Sequence, residues 1–242
     1  MRRSTGPWTP AVHALLRHLE RVGFEGAPRL LGVDEQGREI LTYISGEVPR
    51  RGDPTLETDL ALIEVGSLLR RYHEAAADFA LSSRVGWHHR SEISGPVMLV
   101  CHNDISPRNT VFRDGHPVAF LDWDLASPAP PAWDVVHAAW QFVPLTDDAG
   151  CSRLGWSSPP DRAHRLRVFC DAYGLSEEDR SGFTELVVRR IETTASGIDA
   201  LATAGVEAPK RLDAKNIPEW VRIDSRWVVR HARELDSALL PL

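Results

Sequence analysis

The spacing of apolar positions predicts a short mixed region followed by a long helical one. Residues 9–22 have apolar side chains at helical spacing, with Thr9 expected as the N-cap and Pro10 at the first helical position. Residues 56–77 carry a second helical stripe, formed by Leu62, Val65, Leu69 and Tyr72. Further helices are predicted from about residue 132, over 162–173, from a capping box at Ser176 and Asp179 through 201, and over 219–239. The last of these helices is expected to face inward with Trp220, Ile223, Trp227 and Val228.

Short apolar runs bounded by turn residues predict strands between these helices. The first two, residues 27–31 and 38–44, flank a polar turn at residues 34–37. A buried strand at 97–101 leads into a polar loop. Strands at 110–112 and 117–121 then form a hairpin around the turn Asp114-Gly115.

Two polar clusters follow these strands, His102 to Asn109 and Asp122 to Asp124. The hairpin brings Asp104, Asn109 and Asp122 to one end of a small sheet. Three oxygen-bearing side chains there suit a hard cation such as Mg²⁺. The alternative is a turn whose polar groups cap backbone amides. His102 is expected to pack beneath the loop rather than to bind metal.

The spacing His-x-Asp-x-x-x-x-Asn over residues 102–109, followed by Asp122-Trp123-Asp124 and by Asp134, resembles the aminoglycoside phosphotransferase family. The likeness is specific over roughly residues 28–145. It implies an α+β, protein-kinase-like fold with a reduced N-terminal lobe over residues 1–48. A mostly helical C-terminal lobe over residues 49–242 would bind the acceptor.

The resemblance also implies residue roles. Asp104 would be the catalytic base, and Arg108 would steady the transferred phosphoryl group. Asn109 and Asp122 would hold Mg²⁺, with Asp124 as a weaker candidate for a second metal ion. Asp134 would hold the loop backbone, and His73, at the end of the helix predicted over residues 56–77, resembles the family's usual histidine there and is expected to be structural. ATP or GTP would be the co-substrate. Hinge backbone groups contact the adenine base in such folds, which makes Tyr43, Ile44, Ser45 and Gly46 candidates, although a simple interlobe turn is an equal alternative.

The chain departs from the family at the phosphate-covering strands. No Gly-x-Gly-x-x-Gly occurs, and the two lysines, Lys210 and Lys215, lie near the far end. Arg2 or Arg3 could replace the missing lysine's charge, oriented by Glu20 or another polar residue of the first helix. We expect instead that both arginines are disordered. The chain is then either a degenerate member or an open reading frame begun too late.

Composition narrows the class of partner. The net charge of −6 argues against nucleic acid. Cys101, Cys151 and Cys170 lack metal spacing and are expected to be reduced thiols. No apolar run approaches membrane-spanning length, so we expect a cytoplasmic protein without a membrane partner. Most simply, the charged residues of the C-terminal helices and loops face solvent: the arginines Arg189, Arg190, Arg222, Arg226 and Arg230 and the acidic residues Asp147, Asp148, Glu177 and Glu178. The alternative for the four acidic residues is contact with a cationic acceptor.

The sequence therefore predicts a phosphotransferase that moves the nucleotide γ-phosphoryl group to a hydroxyl of a small molecule. An aminoglycoside, a macrolide, a sugar, a choline-like amine and homoserine all remain open as acceptors. One alternative is a catalytically silent relative that acts by binding. A metal-dependent phosphohydrolase is the other.

Overall fold

A computed structural model describes residues 1–80, 86–88 and 93–240 of the chain, together with the backbone but not the side chains of residues 208, 210, 212 and 213. Three short strands form the N-terminal sheet, in the order β1 (Arg2–Arg3), β3 (Glu39–Leu41), β2 (Leu30–Val33). Both pairings are antiparallel, and β1 places Arg3 directly opposite Glu39. Helix α1 (Thr9–Arg21) connects β1 to β2 and buries its apolar stripe.

The polar clusters lie at the ends of two antiparallel strand pairs. Strand β4 (Leu99–Cys101) pairs with β7 (Ser127–Ala129), and β5 (Thr110–Arg113) pairs with β6 (His116–Phe120). Short 3-10 turns, Pro107–Asn109 and Trp123–Leu125, form the ends of the two polar loops. The β5–β6 register places Thr110 opposite Phe120, so the two loops meet at one end of the hairpin.

Helices form the rest of the molecule. After a 3-10 turn at Pro54–Glu57 the chain continues through α2 (Asp59–Ala76), α3 (Pro131–Phe142), α4 (Asp148–Leu154), α5 (Arg162–Tyr173), α6 (Glu177–Arg180), α7 (Phe183–Thr203), α8 (Glu207–Ala214) and α9 (Ile217–Leu239). The predicted stripe of α2 is buried, and it packs against α5 and the strands. One hydrophobic core includes residues of α1, α2, α3, α5, α7 and α9. Among the described helices, none is both long and apolar enough to cross a bilayer.

Three local predictions are wrong. Thr9 is the first helical residue rather than the N-cap, and its hydroxyl accepts the Gly6 N–H at 2.8 Å. Ser176 caps only the short α6, because Gly182 at φ 74° breaks the helix before α7 begins. Trp220, expected to face inward, is 40% exposed, whereas Trp227 and Val228 are buried as predicted.

The terminal arginines are not disordered but form a strand. Two residues suffice because β3 supplies the partner backbone for β1. Strands β2 and β3 are shorter than predicted, and the turn between them closes with the Asp34 N–H donating to the Arg38 carbonyl at 2.9 Å.

Candidate functional site

The loop after β4 is held by a buried carboxylate. Asp134, in the first turn of α3, accepts the backbone N–H groups of His102 and Asn103, both at 2.6 Å. Its pKa is lowered, because His73 at 3.3 Å, His102 and these N–H donors outweigh the effect of burial. His73 is held in turn by the Tyr173 hydroxyl at 2.7 Å. Asp134 and His73 thus have the structural roles expected of them.

His102 supports the loop from below. Its ring is fully buried, lies 4.5 Å from the Trp123 ring, and bonds the Leu121 carbonyl through Nε2 at 2.9 Å. The expectation that it packs rather than binds metal agrees with these contacts. Next to it Asn103 adopts a left-handed conformation, φ 65°, which redirects the chain so that Asp104 points out of the core.

Asp104 is held by hydrogen bonds and charge. Asn109 Nδ2 donates to Asp104 Oδ2 at 2.7 Å and to its backbone carbonyl at 2.9 Å. His137 Nε2 lies 3.5 Å from the other oxygen, Oδ1. Burial alone would raise the pKa of Asp104, but His137, His102 and Arg108 outweigh it, and the pKa is lowered. The group is an ionised carboxylate at neutral pH, as a base requires.

The second cluster faces an arginine. One Arg3 nitrogen, Nη2, donates to Asp122 Oδ1 and to Asp124 Oδ2, each at 2.7 Å. Arg3 Nε lies 3.7 Å from Glu39, which also bonds His13 of α1 at 2.8 Å. The partner that orients Arg3 is therefore Glu39, while the predicted Glu20 is exposed.

The two clusters adjoin. The Leu121 N–H donates to the Asn109 carbonyl at 2.7 Å, which brings Asn109 beside Asp122. Asp122 has φ 62°, a left-handed conformation that turns its side chain out of the hairpin. The structure thus brings together Asp104, Asn109, Asp122 and Asp124.

The donor set fits a hard divalent cation. Asn109 gives both Nδ2 hydrogens to Asp104, so Oδ1 is the atom it can offer to a metal. Asp122 and Asp124 add carboxylate oxygens, with side chains 51% and 34% exposed. Such oxygens are the ligands that Mg²⁺ prefers. Among the described residues, the single buried cluster with metal-ligand chemistry is His73, Cys101 and Asp134, where the carboxylate already holds the loop.

The predicted hinge is joined to the hairpin. Glu47 and Phe112 exchange backbone hydrogen bonds at 2.8 Å, and Arg113 donates to the Ser45 carbonyl at 2.9 Å. Gly46 passes so close that a Cβ there would lie 2.4 Å from the Phe112 carbonyl oxygen. Four residues of this segment are predicted to contact the base of the nucleotide. Among them Tyr43 has a largely exposed side chain, and Ile44, Ser45 and Gly46 follow it in the chain.

The remaining polar candidates separate into exposed groups and helix caps. Arg108 is exposed beside Asp104. Asp147 caps α4 by accepting the Gly150 N–H at 2.7 Å, and Asp148 is paired with Arg162 at 2.7 Å. Glu177 is exposed in the first turn of α6, where its negative charge interacts favourably with the positive end of the helix dipole.

Two buried residues near the loop, Arg190 and His137, were not predicted from the sequence. Arg190, expected at the surface, is 8% exposed and donates to the Asn103 carbonyl at 2.6 Å, with its guanidinium over the Trp133 ring. Burial lowers its pKa to about 10, so it remains charged. Its spacing from Phe183 and Val187 places it on the apolar face of α7, which was the available signal. His137 was signalled only as a single histidine within an apolar helix.

Comparisons with known sequences find similarity to a family of phosphotransferases. Residues 94–181 match the family described as the phosphotransferase enzyme family. The chain is also 34% identical over 245 residues to the trifolitoxin immunity protein of Rhizobium leguminosarum bv. trifolii. That alignment covers 98% of this chain and 91% of the relative.

Solved structures share the fold. A choline/ethanolamine kinase family protein from Mesorhizobium loti aligns with a TM-score of 0.60 and 11% identity, covering 94% of this chain and 82% of that one. An aminoglycoside phosphotransferase from Alicyclobacillus acidocaldarius aligns with a TM-score of 0.57 and 15% identity, covering 98% and 85%. The predicted kinase-like α+β fold is confirmed.

Proposed function

Because the chain belongs to the phosphotransferase enzyme family, we propose that it transfers the γ-phosphoryl group of ATP or GTP to a hydroxyl of a small molecule. The observation that carries the proposal is the adjacency of the Asp104–Asn109 pair to Asp122 and Asp124 beneath Arg3. A base, oxygen ligands and a cation for phosphate are the parts that this reaction needs.

Asp104 acts on the acceptor. As the acceptor oxygen bonds to the γ-phosphorus, its proton passes to the Asp104 carboxylate and the nucleoside diphosphate leaves. The Asn109 hydrogen bond to Oδ2 fixes the carboxylate's orientation before the acceptor arrives. Positioning of this kind supplies much of the rate in phosphoryl transfer, where the protein performs little covalent chemistry.

Arg3 acts on the phosphates. It would take the role of the absent lysine, since it lies opposite Glu39 on the neighbouring strand and beside Asp122. An arginine presents several donors in a planar fork that matches phosphate oxygens. Arg108, on the acceptor side, is a second candidate for contact with the transferred group.

A magnesium ion would be held by Asn109 Oδ1 and Asp122, with Asp124 as a weaker third ligand, and would neutralise the charge on the phosphates. Tyr43, Ile44, Ser45 and Gly46 are the proposed contacts for the base of the nucleotide. We further propose a division at residue 48 between the nucleotide-side lobe and the acceptor-side lobe.

The relative's name suggests the biological purpose. An immunity protein protects against a toxin, and phosphorylation of a toxin hydroxyl is one way to achieve this. We therefore propose a toxic hydroxyl compound as the acceptor class, to be compared with the aminoglycosides, macrolides, sugars, choline-like amines and homoserine.

A second candidate function is binding without catalysis. The observation that favours it is that Arg3 neutralises the same carboxylates that a metal ion would need. If Arg3 keeps these carboxylates, the chain would neutralise a toxin by sequestration.

Calorimetric titration tests the nucleotide half. The wild-type chain and Asp122→Asn are titrated with Mg²⁺ and a non-hydrolysable ATP or GTP analogue. Asparagine tolerates the left-handed backbone at this position, so the variant removes charge without strain. We expect micromolar binding by the wild type and at least tenfold weaker binding by the variant.

Radiolabelled γ-phosphate then separates the candidates. Label transferred to a member of the acceptor panel supports the phosphotransferase, and rapid phosphate release regardless of acceptor indicates a hydrolase. A folded chain that binds no nucleotide contradicts the proposed transfer and leaves sequestration.

A further inference from the structure

We infer that His137 is a positioning residue for Asp104, with its Nε2–H directed at Asp104 Oδ1. The inference rests on the proposed function, in which Asp104 is the base. It assigns a role to a buried side chain of α3 that has no place among the loop's motif residues.

The geometry of His137 points to a missing hydrogen bond. Its side chain is 5% exposed, and neither ring nitrogen has a hydrogen-bond partner among the described residues. Buried polar atoms of this kind are almost always paired. The nearest acceptor given for Nε2 is Asp104 Oδ1 at 3.5 Å, somewhat beyond an ordinary hydrogen bond. Catalytic hydrogen bonds are often long before substrate binds and shorten in the complex.

The charges around His137 favour a neutral donor. Burial and the nearby Arg190 guanidinium lower the pKa of His137, and these effects outweigh the opposing influence of Asp104 and Asp134. A neutral imidazole carries one N–H. The Trp140 ring, edge-on at 5.5 Å, packs against His137.

The consequence is a carboxylate held at both oxygens. Asn109 holds Oδ2 from the loop, and His137 holds Oδ1 from α3. Arg190 fixes the same loop at the Asn103 carbonyl. With Asp134 bonding the loop's amides from the same helix, α3 sets both the position of the loop and the direction of its base.

Nitrogen-15 NMR of histidine-labelled protein tests the hydrogen bond without any turnover. His137→Gln identifies the His137 signals by their loss. We expect Nε2 to carry the proton at pH 7, and its shift to move in Asp104→Ala but not in Asp122→Asn. A proton on Nδ1, or a His137 signal indifferent to Asp104→Ala, overturns the inference.

Turnover tests the positioning role, with phosphoryl transfer from Mg·ATP to water as the readout. His137→Leu should lower kcat about 10- to 100-fold while KM for ATP changes less than about twofold. His137→Gln, which keeps a donor, should recover most of kcat. Equal loss in both variants, or a loss expressed in KM, contradicts positioning. If wild-type protein transfers phosphate to neither water nor the acceptor panel, the proposed function and the catalytic part of this inference fail, and NMR alone decides the contact.

Discussion

The two halves of the candidate site are built differently. On the acceptor side Asp134 is fully buried and satisfied by backbone and histidine donors. On the phosphate side the Asp122 side chain is 51% exposed, and Arg3 holds it from a two-residue strand. Buried, fully bonded groups are fixed before ligand arrives, whereas exposed ion pairs contribute little stability and are screened by salt.

The difference indicates which half of the site must rearrange when a ligand binds. The proposed base, Asp104, and its loop are held in position by the core before any acceptor binds. In the proposed phosphate half, Arg3 is already bonded to Asp122 and Asp124, so under the proposed function a nucleotide would have to compete with these ion pairs. The stability of the fold and the affinity for nucleotide should therefore respond to different residues.

The largest expected effect is on stability, from Asp134→Ala. The change leaves the His102 and Asn103 amides without acceptors in a buried site and removes the partner of His73. We expect the free energy of unfolding to fall by about 3–5 kcal/mol. Urea denaturation followed by circular dichroism measures it. The matched control, Asp124→Ala on the exposed side, should cost less than about 1 kcal/mol. Similar losses in both variants would erase the contrast between the halves.

Arg3 should affect binding instead. Replacing it with methionine removes a charge-assisted phosphate donor, and we expect the affinity for the Mg·nucleotide analogue to fall about 10- to 100-fold. Arg3→Lys should retain most of the affinity. Arg2→Met is the control on the same strand, because Arg2 lies near Asp34 at 3.6 Å rather than at the site. If Arg2→Met weakens binding as much as Arg3→Met, the effect belongs to the strand and not to the guanidinium.

A smaller effect concerns a second buried carboxyl group, Asp224, whose charge is not fully compensated by hydrogen bonds. Asp224 accepts the Trp140 indole N–H at 2.9 Å, and burial raises its pKa to about 6. Because the folded pKa exceeds the unfolded value of 3.8, the stability it contributes at low pH is lost as pH rises through about 6. Asp224→Asn removes this loss.

The measurement compares the unfolding free energies of wild type and Asp224→Asn at pH 5 and pH 8. Between pH 5 and pH 8, the unfolding free energy of the variant relative to that of the wild type should rise by about 1.4 kcal/mol. A difference that does not change with pH would mean that Asp224 stays ionised and satisfied, like Asp134.

The sequence predicted those parts of the site that local spacing determines. The hairpin, its turn and both polar clusters follow from short apolar runs and turn residues, and the structure places them together. The roles of Asp134, His73 and His102 in holding the loop agree with the contacts observed. The ion-pair partner of Arg3 could not be predicted from local spacing, because Glu39 is brought next to Arg3 only by the pairing of two strands.

The main error of the prediction from sequence concerned a buried charged residue. Arg190 is expected on a solvated face because an arginine in a helix is usually exposed. Its spacing put it on the buried face, but its acceptor, the Asn103 carbonyl, lies 87 residues away in the chain. The capping box at Ser176 is present, but the predicted helix is too long. The glycine that interrupts it, Gly182, lies beyond the box.

The two hydrogen bonds that Asp134 accepts have a consequence for how such chains diverge under selection. A lineage that abandoned phosphoryl transfer and kept only sequestration would be free to replace Asp104 and Asp122. It would still need Asp134, because the fold depends on that carboxylate whether or not the chemistry survives. Among descendants of this architecture, retention of Asp134 alone would mark inheritance of the scaffold, while retention of all three acids would mark inheritance of the reaction.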